Sequence, residues 1–287
     1  MPEMDPALIA AYDTCRRMHR RHDPTYYWAT RRLPADIRPA THALYGYVRT
    51  ADQLVDGPRR PPTPEGRRAA LDEWERELDR GLADGASPNP VVGALVDAAS
   101  RHELPLQELR TYMGSMRVDC APVRIASWDE LCSYMDGSAG SVGRIMAPLL
   151  GVPSGRHADY GRLGLAFQHA NFIRDVREDW RLDRIYLPEE DRRRFGVADE
   201  DFGRRRATPE LRALIAHEVA RARALFAAAA PAVAAAPAAV RPGVRLACAV
   251  YESVLDRVEA AGYDVLGRRT GVRVWKLPLV AWGALRA

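Results

Sequence analysis

The chain has 287 residues, 47% hydrophobic and 28% charged, with a formal net charge of +4. These proportions describe a globule with ample chain for a core, and they exclude low-complexity and fibrous classes. The pI of about 9.0 rests almost wholly on arginine, Lys276 being the only lysine. The arginines are interspersed with Asp and Glu as a mixed surface, not the basic stripe of a nucleic-acid binder.

No apolar run reaches the ~18–20 residues that span a bilayer. Met1-Pro-Glu-Met-Asp-Pro6 is not a signal peptide, so the expected location is cytoplasmic. In chain order, Asp5-Pro6 opens a helix expected over 6–22. His22-Asp23-Pro24 breaks it, and a short helix follows from Thr25 to Arg32, closed by Leu33-Pro34. Residues 35–56 form the second main helix, stopped by Gly57-Pro58. Pro58 to Gly66 is a rigid exposed loop. Helices are expected over 67–82, 91–102 and 106–120. The last carries Met113, Met116 and Asp119 toward a neighbour the pattern does not identify.

Residues 128–151 read as helix, yet they hold Gly137, Gly140 and Gly143. Each glycine costs a helix about 1 kcal/mol. Either another helix packs tightly there or a ligand runs along bare backbone. Helices follow over 159–180 and 209–230, with 181–188 as a loop and 189–203 as loop with a short helix. Ala227 to Val240 is Ala/Pro-rich, and Pro231 and Pro237 read as helix ends in a compact connection. Helices over 246–262 and 274–286 complete the chain. No strand alternation persists. The expected class is all-α, one domain over 1–287, with roughly ten helices around a central cavity. Cys15, Cys120, Cys132 and Cys248 lack metal-ligand spacing and read as small buried hydrophobes.

The helix over 159–180 carries the chemistry. Gln168, Asn171, Asp175 and Asp179 fall on one stripe at 3.6 residues per turn. Two like charges at i,i+4 cost a few tenths of a kcal/mol, a cost relieved by a cation between them. Mg2+, or Mn2+ in its place, takes oxygen ligands and bridges carboxylates to phosphates. The helix over 35–56 repeats the device with Asp52 and Asp56, Arg49 lying one turn earlier, as Arg174 adjoins Asp175. Two such pairs predict two carboxylate walls across a cavity, holding Mg2+ against a diphosphate.

These stretches resemble the squalene/phytoene synthase family from about residue 12 to 280. The carrying motifs are Tyr26-Tyr-Trp-Ala-Thr-Arg-Arg-Leu-Pro34, Tyr45-Gly-Tyr-Val-Arg49-Thr-Ala-Asp52-Gln-Leu-Val-Asp56 and Tyr134-Met-Asp-Gly-Ser-Ala-Gly-Ser-Val-Gly143. The fourth is Gln168-x-x-Asn171-Phe-Ile-Arg174-Asp175-Val-x-Glu178-Asp179, followed by Asp183-Arg-Ile-Tyr-Leu-Pro188. The resemblance implies the all-α isoprenoid synthase fold and head-to-head condensation of two prenyl diphosphates through a cyclopropyl diphosphate. Geranylgeranyl diphosphate would give phytoene without NADPH, since the sequence shows no dinucleotide fingerprint. Farnesyl diphosphate would give squalene or a related thirty-carbon product.

By the same resemblance, Asp52, Asp56, Asp175 and Asp179 hold Mg2+, with Asn171 and Gln168 supporting the cluster. Arg49, Arg174 and Arg184 hold diphosphate oxygens, and Tyr134 and Tyr186 contact diphosphate or cation. His22 and Tyr26 close the site, and Ala139, Gly140, Val142 and Gly143 line a hydrocarbon tunnel. Gln53 stands where many members carry Asp, and Asp136 where an aromatic is common. Both motivate a second reading, prenyl transfer to an aromatic small molecule. A third is an inactive helical scaffold. A lipid product would bring at most peripheral membrane contact.

Overall fold

A repeated two-residue device starts five of the helices: a short polar side chain caps the first turn and proline occupies its first position. Asp5 accepts from the Ala7 amide at 2.9 Å, Asp23 from Tyr26 at 2.8 Å, Thr63 from Gly66 at 3.1 Å, Asn89 from Val91 at 3.0 Å and Thr208 from Leu211 at 3.1 Å. Proline has no amide hydrogen to orphan there, and its fixed φ suits the helix.

The computed structural model describes residues 5–267. The helices are α1 (Pro6–His22), α2 (Pro24–Thr30), α3 (Arg38–Asp56), α4 (Pro64–Asp84), α5 (Pro90–His102) and α6 (Glu108–Val118). They continue with α7 (Trp128–Met135), α8 (Ser141–Leu149), α9 (His157–Arg181), α10 (Glu189–Phe195), α11 (Pro209–Ala234) and α12 (Arg241–Ala260). The helix expected over 274–286 lies outside the described residues.

The structure departs from the sequence reading in three places. The stretch 128–151 is not one α-helix. A π-helical turn, Asp136–Gly140, separates α7 from α8, and it contains two of the three glycines. Pro231 lies inside α11, which runs on to Ala234 before Pro237 follows. A parallel pairing joins β1 (Val123–Arg124) to β2 (Arg184–Ile185), in the segment read as loop. Two residues are too few to show a period-2 pattern.

Helix α9 is the axis of the molecule and packs against α8, the π turn, α11 and α12. Its contacts with α8 and the π turn are close enough to exclude side chains. A Cβ on Gly143 would run into the Tyr160 carbonyl oxygen, and one on Gly164 into that of Ala139. Tight helix packing therefore accounts for Gly143. Asp175, Asp179, Gln168 and Asn171 are half-buried on α9, while Phe172, Ile173 and Val176 beside them are in the core. On α3, buried Ala43, Leu44, Tyr47, Ala51 and Val55 face the core. Cys15 and Cys120 are buried, and Cys132 and Cys248 are half-buried. Among the described residues, no helix is long and apolar enough to cross a membrane.

Candidate active site

The two acid pairs meet at Arg184. This residue is 4% exposed on β2; its guanidinium donates to Asp56 at 3.0 and 2.5 Å and to the Asp119 carbonyl at 2.6 Å. Asp179, on α9, is held well above the usual carboxylate range by burial first and then by Asp175. Arg184 opposes that shift, and Asp119 and Asp56 add to it. A carboxylate on α9 that feels a carboxylate on α3 belongs to the same cluster. Burial also lifts Asp52 to about 6, against the Tyr112 hydroxyl donating at 2.9 Å and Arg49 at 3.7 Å. Arg174 and Asp175 form a bidentate pair at 2.7 and 2.5 Å.

Behind this cluster lies an aromatic wall that the sequence did not reveal. Asp119, 5% exposed just past the end of α6, accepts from the Tyr134 hydroxyl at 2.5 Å and the Tyr186 hydroxyl at 2.7 Å. Phe172 stacks on Tyr186 at 4.1 Å. Burial lifts Asp119 to about 6, although Arg184 and the two tyrosines pull the other way. Burial, with Asp119 adding, holds both phenols well above their ordinary range, so they remain hydrogen-bond donors.

The acids give way to a cavity of about 270 Å3. Helix α9 lines it with Leu163, Phe167, Gln168 and Asn171, and Asp175 follows one turn later. Helix α3 lines it with Tyr45 and Val48, and Asp52 follows one turn later. Tyr26, Ala139, Val142, Gly143, Met146 and Tyr251 complete much of the wall. Two long helices thus pass from apolar to anionic in the same direction.

Six of the residues marked in the sequence line this cavity, and the others lie in the acid cluster, in the aromatic wall or outside both. Tyr26, Ala139, Val142, Gly143, Gln168 and Asn171 line the cavity. Gly140 does not; a side chain there would meet the Asp136 carboxylate and Leu165. Tyr134 and Tyr186 stand in the aromatic wall beside the acids, outside the cavity lining. His22 is exposed, 3.3 Å from the Gln53 amide. Asp136 does not face the cavity. Arg144 holds it at 2.7 and 3.1 Å while also reaching Glu108 at 2.9 Å. Sequence reasoning marked Asp119 without giving it a role, and it gave no site role to Asp23, Tyr45, Phe167 and Tyr251 in the cavity lining.

The cluster has the chemistry of a divalent-cation site. Its donors are oxygens, the carboxylates repel one another, and the buried Asn171 Oδ1 lacks a hydrogen-bond partner among the described residues. An amphiphile with a polyanionic head and a hydrocarbon tail matches the path from acids to cavity, once cations mediate at the head. Helices, acid pairs and cavity define an enzyme with the all-α isoprenoid synthase fold.

The chain belongs to the squalene/phytoene synthase family, whose model matches residues 19–276; members of that family are prenyltransferases. It is 32% identical over 283 residues to 15-cis-phytoene synthase of Synechococcus elongatus, covering 94% of this chain and 91% of that protein. It is 35% identical over 276 residues to a chloroplastic phytoene synthase 3 of Zea mays, covering 94% of this chain and 64% of that longer protein. Among solved structures, a squalene synthase of Alicyclobacillus acidocaldarius superposes with a TM-score of 0.80 at 30% identity, covering 89% of this chain and 95% of that one.

Proposed function

We propose that this protein condenses two geranylgeranyl diphosphates head to head, through a cyclopropyl diphosphate, to the forty-carbon hydrocarbon phytoene. The observation that carries the reading is the continuity of acid pairs and apolar cavity along the same two helices, α3 and α9. The relatives named phytoene synthase support the choice of product.

Asp52, Asp56, Asp175 and Asp179, with Asn171 beside them, would hold Mg2+ or Mn2+. When bound, the cation supplies Lewis-acid stabilisation of the departing diphosphate. Arg49, Arg174 and Arg184 already stand among these carboxylates and offer the positive charge that diphosphate oxygens need. Loss of one diphosphate leaves an allylic cation, which the 2,3 double bond of the second chain attacks. Ring closure with loss of one proton gives the cyclopropyl diphosphate, and a second ionisation, rearrangement and loss of a second proton give the product. Phe167, Tyr26, Tyr45 and Tyr251 line the cavity along which that path would run, where ring faces can stabilise positive charge. Asp119 fixes the Tyr134 and Tyr186 hydroxyls beside the diphosphate end. The expected chemistry consumes no NADPH.

The squalene synthase likeness favours a second reading, in which farnesyl diphosphate enters and a thirty-carbon product leaves. Transfer to an aromatic acceptor loses one of its two motives, since Asp136 is engaged by Arg144 away from the cavity. Gln53, the other, sits at the exposed His22. The test is incubation of purified protein with Mg2+ and geranylgeranyl diphosphate alone, farnesyl diphosphate alone, or either with an aromatic acceptor. A forty-carbon hydrocarbon from the first mixture is expected. Turnover only with the acceptor would replace this reading by the aromatic one. No pyrophosphate release from any mixture would leave a helical scaffold.

A further inference from the structure

Behind α9, on the side away from the cavity lining, a second polar cluster lies buried between α9, α10 and α11. Asp191, His217 and Glu218 each bring one ligand atom within 4.8 Å of the others. His169, from α9, lies beside that group and touches only Glu218, its Nε2 standing 3.1 Å from Glu218 Oε2. His169 and Glu218 are both 0% exposed.

The cluster is short of positive charge. Two buried carboxylates share one guanidinium, that of Arg221, which takes Asp191 Oδ2 and, at 3.2 Å, Glu218 Oε1. Buried carboxylates normally have partners. Yet Glu218 Oε2, His217 Nε2 and both ring nitrogens of His169 are buried without a hydrogen-bond partner among the described residues. The 3.1 Å approach of His169 to Glu218 fails as a hydrogen bond by direction, not by distance.

The separations suit another bond. Metal–ligand distances of ~2.0–2.1 Å at tetrahedral angles place donors about 3.3–3.4 Å apart. His217 Nε2 to Asp191 Oδ1 is 3.5 Å, and a Glu218 oxygen lies within 4.8 Å of both residues' ligand atoms. Arg221 meanwhile engages Asp191 Oδ2 and Glu218 Oε1 and reaches Asp191 Oδ1 only at 3.4 Å, as an outer partner of a ligating carboxylate does. His217 is about one quarter exposed at its side chain, which leaves an entry path.

We propose that Asp191, His217 and Glu218 form a binding site for a divalent transition metal of the zinc class, tying α10 to α11, with His169 of α9 backing the Glu218 carboxylate. An imidazole with two carboxylates favours such an ion over Mg2+, which prefers an all-oxygen shell. This site is separate from the acid pairs, and the inference does not depend on the reaction assigned to them.

Cobalt(II) added to the metal-stripped, tag-free full chain tests it by visible absorption. The intense bands of a four-coordinate nitrogen–oxygen site, saturating at one equivalent and displaced by zinc, are expected. His217→Gln and Glu218→Gln should lose these bands, whereas Asp175→Asn, which alters the acid pair instead, should keep them. His217→Gln changes a partly exposed ring and serves if Glu218→Gln does not fold. A folded wild-type chain showing only the weak spectrum of six-coordinate cobalt would overturn the proposal. Bands lost in Asp175→Asn but kept in His217→Gln would overturn it equally.

Discussion

The two halves of α9 belong to different chemical worlds. From Tyr160 to Asn171 the helix presents Leu163, Gly164, Phe167 and Gln168 to an apolar cavity. From Arg174 to Asp179 it presents an arginine and two aspartates to a cluster shared with α3 and β2. The backbone is equally regular throughout. What changes is whether a neighbouring element supplies hydrocarbon or counter-charge. The apolar half is closed by α2, α8 and α12, and the anionic half by Arg184 and the Asp119–tyrosine wall. A single rigid rod thereby fixes the distance between the anionic cluster and the apolar cavity, with no loop to relax it.

The largest expected effect comes from neutralising the anionic half. Asp175→Asn or Asp52→Asn should cut pyrophosphate release from a prenyl diphosphate by more than about 100-fold, the range for losing a preorganised charge-stabilising group. Circular dichroism and melting temperature should stay near wild type, since each change also removes like-charge repulsion. A variant retaining most of its turnover would show that the acid half is structural.

Next comes the buried Asp119. Its carboxyl titrates at about 6 in the folded chain, against an ordinary 3.8 when unfolded. Below about pH 4 both states are protonated. Between roughly pH 4 and 6 the folded chain keeps a proton that the unfolded chain has released, so this residue's contribution to stability falls as pH rises. Above about 6 both states are ionised and the slope vanishes. Denaturant unfolding of wild type and Asp119→Asn across that window should show a difference changing by on the order of 3 kcal/mol. A constant difference would mean the aspartate is not desolvated as described.

Within the apolar half, the approach of α9 to the π turn is set by a glycine. Gly164→Ala drives a methyl group into the Ala139 carbonyl. About 1–3 kcal/mol of stability should be lost in urea unfolding, as for other overpacked sites. An unchanged midpoint would show that α9 and the π turn are not in the contact described. The smallest effect belongs to the apolar half. Val142→Ala enlarges the cavity wall without touching charge. It should shift the ratio of products from mixed farnesyl and geranylgeranyl diphosphates, with turnover changed less than about tenfold, or ~1.4 kcal/mol. An identical product ratio would remove Val142 from the set that senses chain length.

How much of this was legible in the sequence follows from the range of the interactions. The acid pairs are i,i+4 features of single helices, so spacing exposed them, and the resemblance supplied the cavity. Asp119 was noticed without a role. Its partners Tyr134 and Tyr186 lie 15 and 67 positions away, and nothing local marks the pairing. Tyr251 reaches the cavity from α12 in the same long-range way. The resemblance puts Asp136 on the tunnel-lining stretch where an aromatic is common, but a π turn begins at this residue and Arg144, eight residues on, holds its carboxylate. The glycines left two readings open, and both contribute. Gly143 lets α8 approach α9 and also lines the cavity, whereas Gly140 does not reach it. Pro231 showed that a proline preference is statistical, since α11 continues through it.

The central claim is that carboxylates from α3 and α9 share divalent cations with one diphosphate. Crystals of the protein soaked with Mn2+ and a non-reactive thio-analogue of geranylgeranyl diphosphate give the most direct reading, through the anomalous signal of manganese. The account predicts peaks bridging Asp52 or Asp56 to Asp175 or Asp179 through diphosphate oxygens, with the hydrocarbon running past Phe167. Manganese bound to one acid pair alone, with the diphosphate elsewhere on the surface, would contradict it.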